Sequence, residues 1–193
     1  EIVYVERTSS GRSSVRVVHL VGARAPLHVT AVGKLYLAED GPQKLREYAK
    51  RTGLPGFTPT SLTTLAALER EVDRARRHGV AFDNEEIEQG LRCIAAPVRD
   101  DSGALVAGLS VSAPAERHSP DWAAIVKETA DAISLAIGYA PPAGRHAHGR
   151  CAPWQTRRRC RYRRVHHSGL EARAHHVPRR RYGDVRAEDV YAG

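Results

Sequence analysis

Methionine is absent from all 193 residues, and the chain begins at Glu1. Because translation starts at methionine, we expect an N-terminal part of the protein to precede Glu1. No apolar run approaches the roughly 18 residues of a membrane span, and no charged-then-apolar signal pattern opens the chain. These absences argue against a membrane or secreted protein and predict a cytoplasmic one.

Cysteine is scarce, with Cys93 in an apolar run and Cys151 and Cys160 near the C-terminus. Three thiols in a reducing compartment favour free cysteines over a disulfide framework. The two C-terminal cysteines and the histidines near them lack zinc-finger spacing. Gly33-Lys34 lacks the glycine that stands five residues earlier in a phosphate-binding P-loop. No metal or cofactor is predicted.

Lysine is absent from residues 141–193, which carry 13 Arg against 4 acidic residues, whereas residues 1–140 carry 17 basic and 18 acidic residues. With few aliphatic residues, 141–193 cannot bury enough apolar surface to offset chain entropy, so we expect a disordered Arg-rich tail after a single domain over 1–140. The abrupt change of composition resembles translation of a GC-rich gene in a shifted frame. A basic arm that binds nucleic acid is the alternative.

The domain shows alternating strand and helix patterns. A hairpin is predicted from residues 2–5 and 15–21, helices over 31–38, 42–50 and 64–78, a short strand at 80–82 and a second hairpin from 91–98 and 104–112. Ser119-Pro120-Asp121 predicts the start of a last helix with an apolar stripe, formed by Trp122, Val126, Thr129, Ile133 and Ile137. The order ββ-αα-α-β-ββ-α predicts an α+β fold, an antiparallel sheet flanked by helices.

The hairpin of residues 91–112 is the most informative stretch of the domain. A four-residue loop at 100–103 would pair Arg99 with Ala104 and Cys93 with Ser110. One face would then be small and polar, and the other would be an apolar floor for the helices over 65–75 and 122–137. The small face carries Leu91, Cys93, Ala95, Gly108, Ser110 and Ser112, and the floor carries Ile94, Ala96, Val98, Leu105, Ala107, Leu109 and Val111.

A small, polar sheet face favours a shallow ligand cavity, and close packing of a helix is the alternative. Cys93 has no motif that places a histidine beside it, so a buried inert thiol is favoured over a nucleophile. Asp83 stands in an acidic run with residues 85, 86 and 88, which is more typical of a solvated face than of a metal site.

Five segments, in order, resemble motifs of the IclR family of bacterial transcriptional regulators. They are PLHVTAVGK at 26–34, LPGFTPTSL at 54–62, HGVAFDNEE at 78–86, GLRCIAAPV at 90–98 and LSVSAP at 109–114. The last departs from the family by having Ala113 in place of the usual glycine. The resemblance covers about residues 1–139 and implies a GAF-like effector domain that is not an enzyme. The family's winged helix-turn-helix, which would bind DNA, is absent from this sequence.

The resemblance also implies a small-molecule effector over the hairpin and assembly into a homodimer or tetramer. The family's ligand-binding positions fall on Ala31, Val32, Asp83, Cys93, Ser110 and Ser112, with Leu91 and Val17 as apolar walls. Amides at a helix start favour an anion, so a carboxylate or an aromatic acid is expected. Beside an anion, Asp83 would either accept a hydrogen bond from a ligand hydroxyl or be protonated. The rival functions are nucleic-acid binding through the tail and an enzyme that uses Cys93.

Overall fold

The computed structural model describes residues 1–8 and 21–141. They form β1 (Ile2–Val3), β2 (Arg24–Ala25), α1 (Ala31–Asp40), α2 (Pro42–Thr52), α3 (Leu65–His78), β3 (Ala81–Asn84), β4 (Leu91–Arg99), β5 (Leu105–Pro114) and α4 (Trp122–Ala136). This order confirms the predicted α+β fold with an antiparallel sheet. Val17 lies outside the described residues. So does the tail of residues 141–193 apart from its first residue, and with it the expected disorder and the nucleic-acid arm. No helix in the described part is long and apolar enough to cross a membrane.

The first strand pairs with a later segment than predicted. Ile2 lies opposite Ala25, and the Gly22 amide donates to the Tyr4 carbonyl at 2.7 Å. The predicted partner was residues 15–21, most of which lie outside the described part of the chain. Among the described residues, β1 pairs with β2, and the pairing is antiparallel as expected.

The second sheet has the order β3-β4-β5, and all its strands are antiparallel. Arg99 pairs with Leu105, not with Ala104 as predicted, because the Asp100 carboxylate accepts from the Ala104 amide at 3.1 Å and extends the loop. A bulge next to this pair adds one more residue, so Cys93 lies opposite Ser112. The pairing register of β4 and β5 is thus shifted by two residues in total. Because side chains alternate between the two faces, an even shift leaves each side chain beyond the bulge on its predicted face.

Helix α3 begins and ends as predicted, whereas α1 and α2 each extend two residues beyond their predicted ends. The Thr64 hydroxyl accepts from the Ala67 amide at the start of α3, and Gly79 closes that helix at φ 68. The start of α4 differs from the prediction. Its N-cap is Asp121, not Ser119, because Ser119 and Pro120 form a preceding turn whose carbonyls accept from the first two helical amides.

Helix α4 covers most of the apolar floor of the hairpin, as predicted, but Val111 is 39% exposed. Val126 and Ala130 pack with Ile94 and Val98, and Trp122 lies against the same cluster. The prediction for α3 is wrong, because Leu68 and Val72 pack with Leu37, Leu45 and Tyr48 in a separate cluster among helices. Leu105 also departs from the floor, since the bulge turns its side chain toward Ala31 and Leu35 of α1.

One apolar stripe of α4 remains uncovered. The helix buries Val126, Ala130 and Ser134. Ile133 and Ile137 were predicted to be buried with Trp122 and Val126, yet they are 38% and 48% exposed, and Ile125 in the same row is 63% exposed. The helix therefore has two adjacent apolar rows, of which one packs on the sheet and the other faces outward.

Candidate functional site

The small face of the β4-β5 hairpin carries both a close helix contact and a cavity. Helix α1 lies over Gly108, where an added Cβ would come within 2.7 Å of Val32 Cγ1. Ala95 and Ala31 belong to the same tightly packed cluster. Farther along the strands, Cys93, Ser110 and Ser112 line an open space. The small residues therefore pack closely against the helix at one end of the hairpin and line a cavity at the other.

The start of α1 is held by a buried turn. The Thr30 hydroxyl donates to the Pro26 carbonyl at 2.9 Å and accepts from the Gly33 amide at 3.2 Å. Gly33 must lack a side chain, since a Cβ there would lie 2.4 Å from Leu27 Cα. The amides of Ala31 and Val32 precede that of Gly33 in the first turn, where no helical carbonyl accepts from them.

His28 connects this turn to α2 and to the segment that follows it. It is fully buried, its Nε2 lies 2.9 Å from the Pro55 carbonyl and its Nδ1 lies 2.9 Å from the Tyr48 hydroxyl. A carbonyl only accepts, so Nε2 carries the proton and Nδ1 accepts from Tyr48. Burial lowers the pKa of His28, which keeps the ring neutral. The helix start is thereby positioned by a fully hydrogen-bonded core histidine.

Three buried ionisable side chains form a cluster beside the cavity, and one of them, Asp83, lines it. Lys34 of α1 donates to both carboxylate oxygens of Glu86, at 2.7 Å and 2.6 Å. The Asp83 carboxylate accepts from the Glu86 amide at 2.8 Å. Lys34, Asp83 and Glu86 are no more than 3% exposed. The acidic run was predicted to be solvated, and for Asp83 and Glu86 that is wrong, because each has a specific buried donor.

Burial changes the acidity of two groups that face the cavity. Loss of solvent raises the pKa of Asp83 to about 7, and the Glu86 amide and the Lys34 charge oppose this rise. Loss of solvent and then the Asp83 charge raise the pKa of the Cys93 thiol to about 12. Cys93 Sγ lies 3.0 Å from the Ser112 hydroxyl. A thiol with so high a pKa is protonated at neutral pH and is not an activated nucleophile.

The predicted site residues meet around one cavity of about 400 Å³, counting the part open to solvent. Seven of the eight line it, namely Ala31, Val32, Asp83, Leu91, Cys93, Ser110 and Ser112, and Val17 is not among the described residues. They come from the start of α1, from β3 and from both strands of the hairpin. The cavity thus combines helix amides, hydroxyls and a buried carboxyl group with apolar walls.

Sequence reasoning missed several residues of this site. Ile2, Tyr4, Thr30 and Ile87 also line the cavity. Thr30 could have been found from its position just before the helix pattern, where a hydroxyl cap is favoured. Lys34 carried a signal too, because a single cation in the apolar run from Val32 to Leu37 requires a buried partner.

The described residues contain no cluster of three or more His, Cys, Asp or Glu side chains that could hold a metal ion. Glu85 and Glu86, which follow β3, have protein partners instead. Glu85 accepts from Arg92 at 2.9 Å and from the Gly90 amide at 3.0 Å. The chemistry available in the described site is therefore hydrogen bonding and charge, which suits reversible binding of a small polar molecule.

Comparison with known proteins identifies relatives of this fold. The family model described as "Bacterial transcriptional regulator IclR C-terminal" matches residues 1–135. The HTH-type transcriptional repressor AllR of Klebsiella pneumoniae is 42% identical over 136 residues, which cover 68% of this chain and 50% of AllR. The chain thus spans about half the length of the curated relatives it matches.

Solved structures of transcriptional regulators are also similar to this chain. The C-terminal domain of the E. coli transcriptional regulator KdgR is 37% identical with a TM-score of 0.57, covering 62% of this chain and 75% of that one. An IclR homolog from Microbacterium hydrocarbonoxydans, complexed with 4-hydroxybenzoate, is 29% identical with a TM-score of 0.62, covering 68% of this chain and 54% of that one.

Proposed function

The chain belongs to the IclR family of bacterial transcriptional regulators, and on that premise we propose that its effector-binding domain senses a small carboxylate or aromatic acid. Binding would control DNA recognition by a winged helix domain that lies outside this sequence. The relatives are described as helix-turn-helix repressors, and this chain matches about half of their length. The domain is proposed to act by binding and not by catalysis.

The observation that carries this proposal is the convergence of three separate segments on one cavity. The start of α1 contributes Ala31 and Val32, β3 contributes Asp83, and the hairpin contributes Ser110 and Ser112. These segments are far apart in sequence, and a purely structural role would not require hydroxyls and a carboxyl group around an open space.

The chemistry of the cavity favours an anion with a small apolar body. The first amides of α1 carry the positive end of the helix dipole, and Ser110 and Ser112 add hydroxyl donors. Ile2 and Leu91 supply apolar walls. The 4-hydroxybenzoate bound by the Microbacterium homolog has this chemistry and supports the choice of ligand class.

We expect Ser110→Leu to abolish ligand binding while the fold survives. The added side chain would occupy the cavity, and Leu keeps the apolar character of the strand. Calorimetric titration of short carboxylates and hydroxybenzoates against wild type identifies a binding acid. The same acid should then bind the variant at least about tenfold more weakly, a loss of roughly 1.4 kcal/mol.

Val111→Leu is the matched control. It enlarges the next side chain of the same strand, which points to the opposite face and is 39% exposed. The control should bind the acid as wild type does. Equal binding by Ser110→Leu would place the ligand elsewhere and overturn this assignment.

The state of the Cys93 thiol disfavours the enzyme alternative. A nucleophilic Cys93 would need a lowered pKa or an adjacent base, and burial beside Asp83 raises its pKa instead. The Cys93 thiol also lies beside the Ser112 hydroxyl, which is not a base at neutral pH. Both observations favour a thiol that forms part of a binding surface.

We also propose that the exposed row of α4 mediates self-association into a dimer or tetramer. Ile125, Ile133 and Ile137 form one outward stripe, and such a stripe can pack against its own copy about a twofold axis. Ile133→Glu should lower the mass measured by light scattering to that of the monomer. Glu128→Gln, on an exposed position of the same helix, should leave the mass unchanged. Monomeric wild type would contradict the proposal.

A further inference from the structure

The buried cluster beside the cavity contains two acidic side chains, Asp83 and Glu86, and one cation, Lys34. The ammonium group of Lys34 donates to both carboxylate oxygens of Glu86. Glu86 receives a third donor, the Asn84 amide at 3.3 Å, and is therefore satisfied as a carboxylate. Asp83 accepts from a neutral donor, the Glu86 amide. Two buried acids thus share one cation, and that cation is committed to Glu86.

Asp83 is the member of this cluster that faces a ligand. Its side chain lines the cavity and is only 2% exposed, so little water can screen its charge. An anion placed over Cys93 and Ser112 would stand beside it. Two negative charges in such a site strongly disfavour each other, and the usual outcome is that one of them takes up a proton.

We propose that a carboxylate ligand enters this cavity together with one proton, which stays on Asp83. This inference rests on the proposed function and concerns how the same site discriminates by charge. The protonated Asp83 hydroxyl donates a hydrogen bond to the ligand carboxylate, and Lys34 with Glu86 remains a neutral pair. When the ligand leaves, the proton returns to solvent. A neutral ligand binds without this exchange.

Burial and the Glu86 charge favour proton uptake at Asp83, whereas Lys34 and the hydrogen bonds from the Glu86 amide and the Cys93 thiol oppose it. From α1, Lys34 attracts the Asp83 charge but is held by Glu86; from β4, the protonated Cys93 thiol adds no charge. Glu86 itself repels Asp83, and Glu71 of α3 acts on Glu86. Burial is the largest effect and raises the pKa of Asp83 to about 7, so protonation near neutral pH costs little free energy.

On this proposal, the two roles that the sequence left open for Asp83 belong to different ligand classes. As a carboxylate, Asp83 suits a neutral ligand that offers a hydroxyl donor. As a carboxylic acid, it suits an anion. The same side chain therefore gives the site different pH responses for the two classes: carboxylates bind more tightly as the pH falls, and neutral compounds do not.

Acetate and acetamide are a matched pair of probes, similar in shape and different in charge. Their affinities are measured by NMR titration of the chain between pH 6 and pH 9, following the amides of Ser110 and Ser112. Acetate affinity should fall by about tenfold per pH unit above pH 7, and acetate should raise the midpoint of the Asp83 carboxyl titration. Acetamide affinity should stay constant. Asp83→Asn should bind acetate with no pH dependence.

The outcomes separate this inference from the proposed function. Acetate that binds at these amides with constant affinity overturns proton uptake and leaves the carboxylate site standing. Acetate that shifts neither amide overturns the inference, whereas the proposed function is decided by the panel of acids titrated against Ser110→Leu. If Asp83→Asn fails to fold, the difference between acetate and acetamide in wild type still decides the question.

Discussion

Asp83→Asn is expected to stabilise the protein at pH 8, although it removes a buried hydrogen-bonding carboxylate. Burial raises the pKa of Asp83 from 3.8 to about 7 in the folded state. The folded state therefore binds this proton more tightly than the unfolded state. The associated stability is complete below pH 3.8 and is lost as the pH rises through 7. Asparagine is neutral at every pH and keeps an oxygen that can accept from the Glu86 amide.

The measurement is the free energy of unfolding by urea at pH 5 and at pH 8. The difference between the variant and wild type should grow by about 2 to 3 kcal/mol over this range, in favour of the variant. Asp101→Asn, at an exposed loop position, should change stability by less than about 0.5 kcal/mol at both values. Parallel pH profiles for Asp83→Asn and wild type would show that Asp83 is ionised in the fold at both pH values.

Lys34→Met is expected to cost about 3 to 5 kcal/mol of stability, because it leaves Glu86 buried without its cation. The methionine side chain fills a similar volume, so packing is largely kept. Both partners are almost fully buried, and water cannot replace the two lost hydrogen bonds. Chemical denaturation at pH 7 measures the loss.

Two variants test whether the unpaired charge is the cause. Lys34→Met combined with Glu86→Gln should recover most of the lost stability, because no buried charge remains. Lys127→Met breaks a pair of similar length, 2.8 Å to Asp131, on the exposed side of α4 and should cost less than about 1 kcal/mol. A Lys34→Met loss as small as that of Lys127→Met would mean that solvent reaches Glu86.

The sequence predicted the elements well, because their signals are local. Thr64 and Gly79 mark the ends of α3 by backbone hydrogen bonding and left-handed geometry, which short-range sequence encodes. The sheet face of each hairpin residue away from the bulge was also predictable. Side chains alternate between the two faces, and a change of register by an even number of residues does not alter this. The family resemblance added the positions of the site, and seven of them line one cavity.

What the sequence did not predict depends on contacts between distant segments. The pairing of Cys93 with Ser112 follows from the Asp100 turn and from one bulge, which apolar alternation does not show. The single apolar stripe of α3 shows that one side of the helix is buried. It does not show which elements pack against that side, which in this fold are the other helices. The burial of Glu86 follows from Lys34, fifty-two residues earlier.

Gly108 sets how closely the first turn of α1 approaches the sheet. The residue lies outside the cavity lining, yet its missing side chain is what lets Val32 descend onto the sheet. An alanine at 108 would raise the first turn of α1 and lengthen the gap between the helix amides and Ser110. If the proposed site is the binding site, the space open to a ligand would then depend on a residue beneath the helix. Two proteins with identical cavity-lining residues would then differ in the length of acid that they accept.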